Sequence, residues 1–275
     1  MNRVPWTCGG AALALALSML GASSLSAAPP TGLGPIAQDL DRSTRFDGNS
    51  LDMFVTNHGS FAYNIPDGVS GLVYPKGTDN GMIFAAGMWM GAKVNGETRV
   101  IVNEYSWETV PGNITGGGDY DADYANNPHW RTYKVNRGDG AENPDYAEWP
   151  VEDGAPVNAD NTPRVLGDQT LWCVYHDLDT EAHNNDAGQT APLGVEVQQT
   201  TFGFNLSGPL ENVAFLKFLI VNKGGNTLED TYVSIWSDPD LGGASDDLVA
   251  CDTLLSVGYC YNATNSDNVY GSAPP

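Results

Sequence analysis

Two apolar runs flank Asn95-Gly96 in the stretch 82–107, "MIFAAGMWMGAKVNGETRVIVNEYSW", and this pattern constrains the fold more than any other. An Asn-Gly pair suits the two-residue type I′ turn, in which both central residues need positive φ. The remaining apolar segments are short, β-branched and aromatic-rich, and Gly, Asn, Asp and Pro punctuate them. Segments 170–177, 195–206, 213–221, 231–236 and 254–262 read as strands. No segment joins a helical period to capping residues. The prediction is an all-β fold, an antiparallel β-sandwich of jelly-roll or immunoglobulin-like kind.

Within 213–221, Val213, Phe215, Leu219 and Val221 share one face with Lys217, and Ala214, Leu216, Phe218 and Ile220 form the other. Two apolar faces predict a central strand covered on both sides. Residues 111–164 differ, being rich in Gly, Asp, Asn and Pro. They read as a long insertion held to the sandwich by Trp130, Tyr133, Tyr146 and Trp149, and loops of this length are commonly functional.

The N-terminus has Arg3, an apolar stretch from about Gly9 to Ala22, then small residues through Ala28. That layout predicts a signal peptide over residues 1–28 and a single sandwich domain over 29–275. The apolar stretch is too short for a permanent anchor, so no transmembrane span is expected in the mature chain. The chain stops at "NVYGSAPP" directly after strand-like sequence, and a longer protein is expected.

Formal net charge is −22, from 12 basic and 34 acidic residues. A field of that sign repels nucleic acid and anionic membranes, and favours divalent cations and solubility. Three cysteines lie beyond the leader: Cys173, Cys251 and Cys260. An odd number leaves one thiol free or paired elsewhere. Cys251 and Cys260 are spaced to lie on two adjacent strands. No CxxC or Cys/His zinc pattern exists.

The runs "AAGMWMGAKVNGE", "LGDQTLWCVYHDLD", "APLGVEVQQTTFGFN", "FLKFLIVNKGGNTLEDTYVSIWSDPDLGGASDDLVACDT" and "LSVGYCYN" carry a resemblance. Over about residues 45 to 275 the chain resembles the N-terminal region of large, mostly uncharacterised exported proteins of Gram-negative bacteria. Many of those carry immunoglobulin-like or fibronectin-like modules and a C-terminal secretion and sorting domain. The resemblance implies a secreted or cell-surface location and names no activity.

The densest chemical stretch is "SDPDLGGASDDLVACDT", with Asp238, Asp240, Asp246, Asp247 and Asp252. Ca²⁺ takes about six to eight oxygen ligands, and a loop supplies carboxylates and carbonyls together. Gly242 and Gly243 permit a turn that brings Asp246 and Asp247 back. The loop departs from an EF-hand, since Gly242 stands where an acid or amide belongs and no glutamate closes it. A structural Ca²⁺ site, a solvated acidic turn and a catalytic acid pair are the open readings.

A second Ca²⁺ candidate is Asp119, Asp121 and Asp123, against an exposed loop. A third segment, His176, Asp177, Asp179, Glu181 and His183, offers transition-metal ligands, against ordinary loop chemistry. No HExxH, GxSxG, P-loop or dinucleotide fingerprint occurs. Trp107, Trp130 and Trp149 are candidates for stacking on glycans, against a role as pins for the insertion. The leading expectation is a non-catalytic structural or adhesion module, Ca²⁺-stabilised, whose partners are extracellular glycans or other surface proteins. The alternative is a carbohydrate-binding module or a glycan-active enzyme.

Overall fold

A computed structural model describes residues 42–272. The predicted signal peptide lies outside the described residues. The strands are β1 (Thr44–Phe46), β2 (Asp52–Val55), β3 (Ser60–Phe61), β4 (Tyr63–Asn64), β5 (Val69–Ser70), β6 (Leu72–Val73), β7 (Gly81–Ile83), β8 (Ala85–Val94), β9 (Glu97–Ile101), β10 (Val110–Pro111), β11 (Tyr133–Asn136), β12 (Gln169–His176), β13 (Val195–Gly203), β14 (Ala214–Asn222), β15 (Glu229–Asp238), β16 (Asp247–Asp252) and β17 (Val257–Asn262). One four-residue helix, α1, spans Pro144–Ala147. Of the described residues 41% are strand and 5% helix, the latter counting the 3-10 turns Val151–Asp153 and Pro209–Asn212 with α1, and the sheets are antiparallel.

Eight strands form the first sheet, in the order β15-β8-β3-β2-β6-β7, with β1 on β2 and β9 on β8. Five form the second, β10-β12-β13-β14, with β11 also on β12. The β8–β9 hairpin turns at Asn95 (φ 52°) and Gly96 (φ 83°), as the sequence predicts. Alternation along the strands sends one set of side chains between the sheets. Met53, Val55 and Phe61 of the first sheet meet Leu171 of the second, and Met88 meets Cys173, Tyr175 and Val197. Met90, Ala92 and Val94 continue this core against Leu193 and Val195. This is the predicted sandwich.

The 111–164 insertion is more structured than a loop. Its Tyr133–Asn136 run is β11, paired with β12 in register Tyr133↔Trp172. Trp130, Tyr133, Val135 and Trp149 pack with Trp172 and Val174, which point out of the second sheet. β12 is therefore buried along its whole length, between the sandwich core and the insertion.

Strand β14 departs from its prediction. It is the edge of the second sheet, paired with β13 alone among the described residues. Its outward Phe215 stacks on Phe202, and Leu219 is 49% exposed. An apolar outer face thus reflects a local aromatic cluster, not a covering layer. Cys251 and Cys260 do sit on neighbouring strands, but in register Cys251↔Gly258 and Val249↔Cys260. They are diagonal neighbours, a separation of about 7–8 Å that a disulfide does not span unaided. All three described cysteines are free thiols.

Candidate acidic corner between β15 and the β16–β17 hairpin

β15 ends at Asp238, and the chain turns through Leu241-Gly242-Gly243 before β16 begins at Asp247. Gly242 has φ +77°, and a Cβ there would stand 2.5 Å from Asp267 Oδ1. The turn needs glycine on both counts. It returns the chain so that the Leu241 amide donates to Asp247 Oδ2 at 2.8 Å. Asp240 is tied beside β7 by its amide, which donates to the Met82 carbonyl at 3.2 Å. The Tyr105 hydroxyl donates to Asp238 Oδ2.

Four of the five predicted aspartates therefore share one corner. Burial, then the charges of Asp238 and Asp247, push the Asp240 carboxyl up to about 6. Burial also raises Asp247, with Asp246 and Asp267 adding to the shift and the Leu241 amide opposing it. The Oδ1 atoms of Asp246, Asp247 and Asn262 are buried without hydrogen-bond partners. Asp247 and Asn262 are paired across the hairpin, so these acceptors lie at one end of it. Among the described residues, no three His, Cys, Asp or Glu side chains converge as a ready-made metal group. The amide oxygen of Asn262 and main-chain carbonyls fall outside that set.

Asp252 does not belong to the corner. It sits at the opposite end of β16 and accepts the Leu254 and Leu255 amides in the hairpin turn. Asp267, which sequence reading overlooked, does belong. It is 2% exposed and accepts from the amides of Gly243, Val269 and Tyr270. Only the fold links it to Gly243, which lies 24 positions away.

The second aspartate group is occupied by structural work. Asp121 accepts from the Asp123 amide, Asn127 Nδ2 and Trp130 Nε1 at 2.8–2.9 Å. The bonds from Asn127 and Trp130 hold its carboxyl below the usual range. Asp123 Oδ1 takes Asn126 Nδ2, and the Asp119 carbonyl takes the Thr115 amide. These contacts pin the insertion.

In the His176–His183 segment the acids Asp177 and Asp179 are used internally, whereas His176 Nε2 and both ring nitrogens of His183 are buried without hydrogen-bond partners. Asp177 is buried and caps the amides of Leu193, Gly194 and Val195. Burial raises its carboxyl to about 6 against those donors. Asp179 accepts the Glu181 and Ala182 amides and the Tyr124 hydroxyl. His183 is buried with Nδ1 3.3 Å from Glu108 Oε2. Burial pushes His176 down to about 4 and His58 to about 3. Glu108, fully buried, was not foreseen; nothing in its local sequence marks it.

The three tryptophans proposed for glycans are buried, Trp107 at 9%, Trp130 at 8% and Trp149 at 6%. Trp107 stacks on His58, with centroids 3.8 Å apart. Trp130 and Trp149 donate their indole N–H to Asp121 and to the Pro156 carbonyl. Their rings serve packing and are not displayed. On the outer face of the first sheet lie Trp89, Trp236 and Tyr232, the two tryptophans half-buried, with Trp89 donating to the Asn103 carbonyl and Tyr105 packed edge-on against Trp236 at 5.0 Å. Trp89 and Trp236 are parallel within 2°, and Tyr232 is 75% exposed.

Comparison with protein-family models, curated proteins and solved structures yields no match for this chain. Among the described residues, no helix is long and apolar enough to cross a membrane.

Proposed function

We propose that this chain is a non-catalytic module of a larger exported protein, with a structural or adhesive role at the cell surface. In this reading Ca²⁺ binds the corner of Asp238, Asp240, Asp246 and Asp247 and fixes the β16–β17 hairpin to the sandwich. The observation that carries it is the crowding of carboxylates there, with Asp240 pushed up to about 6, beside the buried Oδ1 atoms of Asp246 and Asn262, which no hydrogen bond reaches; the Cys260 thiol relieves Asp247 in part. A divalent cation supplies what those oxygens lack, and the Asn262 amide oxygen and main-chain carbonyls suit a hard cation. The resemblance to exported proteins supports the location.

Calcium titration calorimetry tests the reading. The wild-type chain should give saturable heat that Asp240→Ala plus Asp246→Ala abolishes. Equal binding by that double variant would place Ca²⁺ elsewhere and remove the argument.

Glycan binding is the second reading, and the parallel Trp89–Trp236 pair with exposed Tyr232 favours it. Flat aromatic faces stack on sugar rings through their apolar C–H surfaces. Retention on insoluble polysaccharide that Trp236→Ala and Tyr232→Ala both reduce would support it. Passage through every polysaccharide tried would end it.

A further inference from the structure

β15 closes the first sheet by pairing with β8, and among the described residues no strand pairs with its other edge. The Phe84 amide donates to the Asp238 carbonyl, and the Asp240 amide to the Met82 carbonyl. Backbone groups at those even positions thus point to the β7–β8 side. Alternate residues point the other way, so Val233, Ile235 and Ser237 aim their N–H and C=O at the open edge. Their side chains face inward. Val233 packs on the core, but Ile235 is 51% exposed. Ile235 and Ser237 line a cleft of about 820 Å³ that opens between the sheet and the hairpin, over Leu51, Leu72 and Ile83.

Proteins blunt open sheet edges with proline, lysine or short strands. This edge is ten residues long, "EDTYVSIWSD", and contains neither proline nor lysine; a bulge between Glu229 and Tyr232, with Asp230 at φ 48°, blunts its first residues, and Tyr232 to Asp238 pair regularly with β8. Its centre is apolar, and both ends are acidic: Glu229 and Asp230 at one, Asp238 and Asp240 at the other. Antiparallel self-pairing of two copies would set acid against acid, in chains of formal charge −22. Like charges opposite one another oppose strand pairing. The matching occupant has the reverse charge at its ends.

We propose that the open edge of β15 accepts an extended peptide strand from another protein, apolar at alternate positions and carrying Lys or Arg at both ends. Main-chain bonds to Val233, Ile235 and Ser237 hold it, and pockets for alternate side chains select it. One set of its side chains enters the cleft beside Ile235. Asp230 already pairs with Lys93 at 2.7 Å and Asp238 accepts the Tyr105 hydroxyl, so Glu229 draws one basic end and Asp238 together with Asp240 draws the other. The proposal rests on the reading of this chain as a surface module and does not require Ca²⁺.

Fluorescence anisotropy tests it, using a labelled peptide of alternating valine and threonine between paired lysines, in EDTA and in calcium. Saturable binding in EDTA is expected, weakened at least about tenfold when glutamates replace the lysines. Ile235→Pro removes one outward N–H and spares the β8 ladder, as proline on an edge strand allows, and should cost a similar factor. Ser237→Pro checks the same edge without deleting an apolar side chain. Absence of saturable binding in EDTA overturns the proposal, as does wild-type affinity in both proline variants once circular dichroism shows them folded. A wild-type dimer in sedimentation that the proline variants dissolve overturns it too, in favour of a second copy. A missing calcium response with peptide binding intact contradicts the calcium reading alone.

Discussion

Asp240 carries a proton more readily in the folded chain than in the unfolded one, since its carboxyl rises from 3.8 to about 6. The folded state therefore gains protons relative to the unfolded state between those values, and this group's contribution to stability improves as pH falls through 6. Asp240→Asn removes the repulsion. In EDTA at pH 7 the variant should gain roughly 1 kcal/mol, discounted for the partial exposure of the site. Its gain should fade by pH 4, as urea midpoints at several pH values will show. In calcium the sign reverses, because the variant loses a ligand. The buried histidines act oppositely. His58 and His176 are held neutral, at about 3 and about 4 against 6.5. Their contribution is full above pH 6.5 and is lost as pH falls toward those values. Replacing His176 with Gln should flatten the acid limb of the stability profile. An acid limb of unchanged slope would contradict the neutral, buried assignment.

At the scale of elements, the insertion and the Gly242 turn make separate demands. Trp149 joins the insertion to Trp172 of β12, with ring centroids 6.4 Å apart. Trp149→Ala should cost about 3–5 kcal/mol, the usual range for emptying a buried aromatic site. Amide exchange should accelerate first within 111–164. Uniform acceleration through both sheets would show that the insertion does not open by itself. Gly242→Ala forces a side chain into a positive-φ turn against Asp267. A loss of about 1–3 kcal/mol is expected, with the hairpin loosening before the sandwich. The β8–β9 hairpin was legible in sequence because Asn95-Gly96 prescribes the turn chemistry locally. β14 was misread because apolar residues on both faces signal a buried strand, whereas its outer face is completed by Phe202 and Phe204 from β13 and its adjoining loop. The acidic corner was half legible. Asp238 to Asp247 are adjacent in sequence and close through two glycines. Asp267 and Asn262 join through tertiary pairing that no local pattern reports, and Asp252 leaves because β16 carries it to the other end of the hairpin.

For the whole molecule, the tryptophans show the limit of composition as a guide. In a glycine-rich stretch an aromatic side chain reads equally as a displayed ring or an anchor, and only the second sheet beneath Trp130 and Trp149 decides between them. Acidity is similarly ambiguous. The aspartates of the insertion spend their oxygens on amides and indoles, while those of the β15 corner leave buried oxygens without donors. That contrast makes the corner the most direct place to test the molecule's dependence on a cation. Thermal unfolding of the purified chain, first in EDTA and then in millimolar calcium, is the deciding measurement. A ligand that binds only the folded state adds about 2.7 kcal/mol at a hundred times its dissociation constant, a shift of several degrees. The wild type should show such a rise, and Asp240→Ala plus Asp246→Ala none. Identical unfolding curves for the wild type in EDTA and in calcium would contradict it.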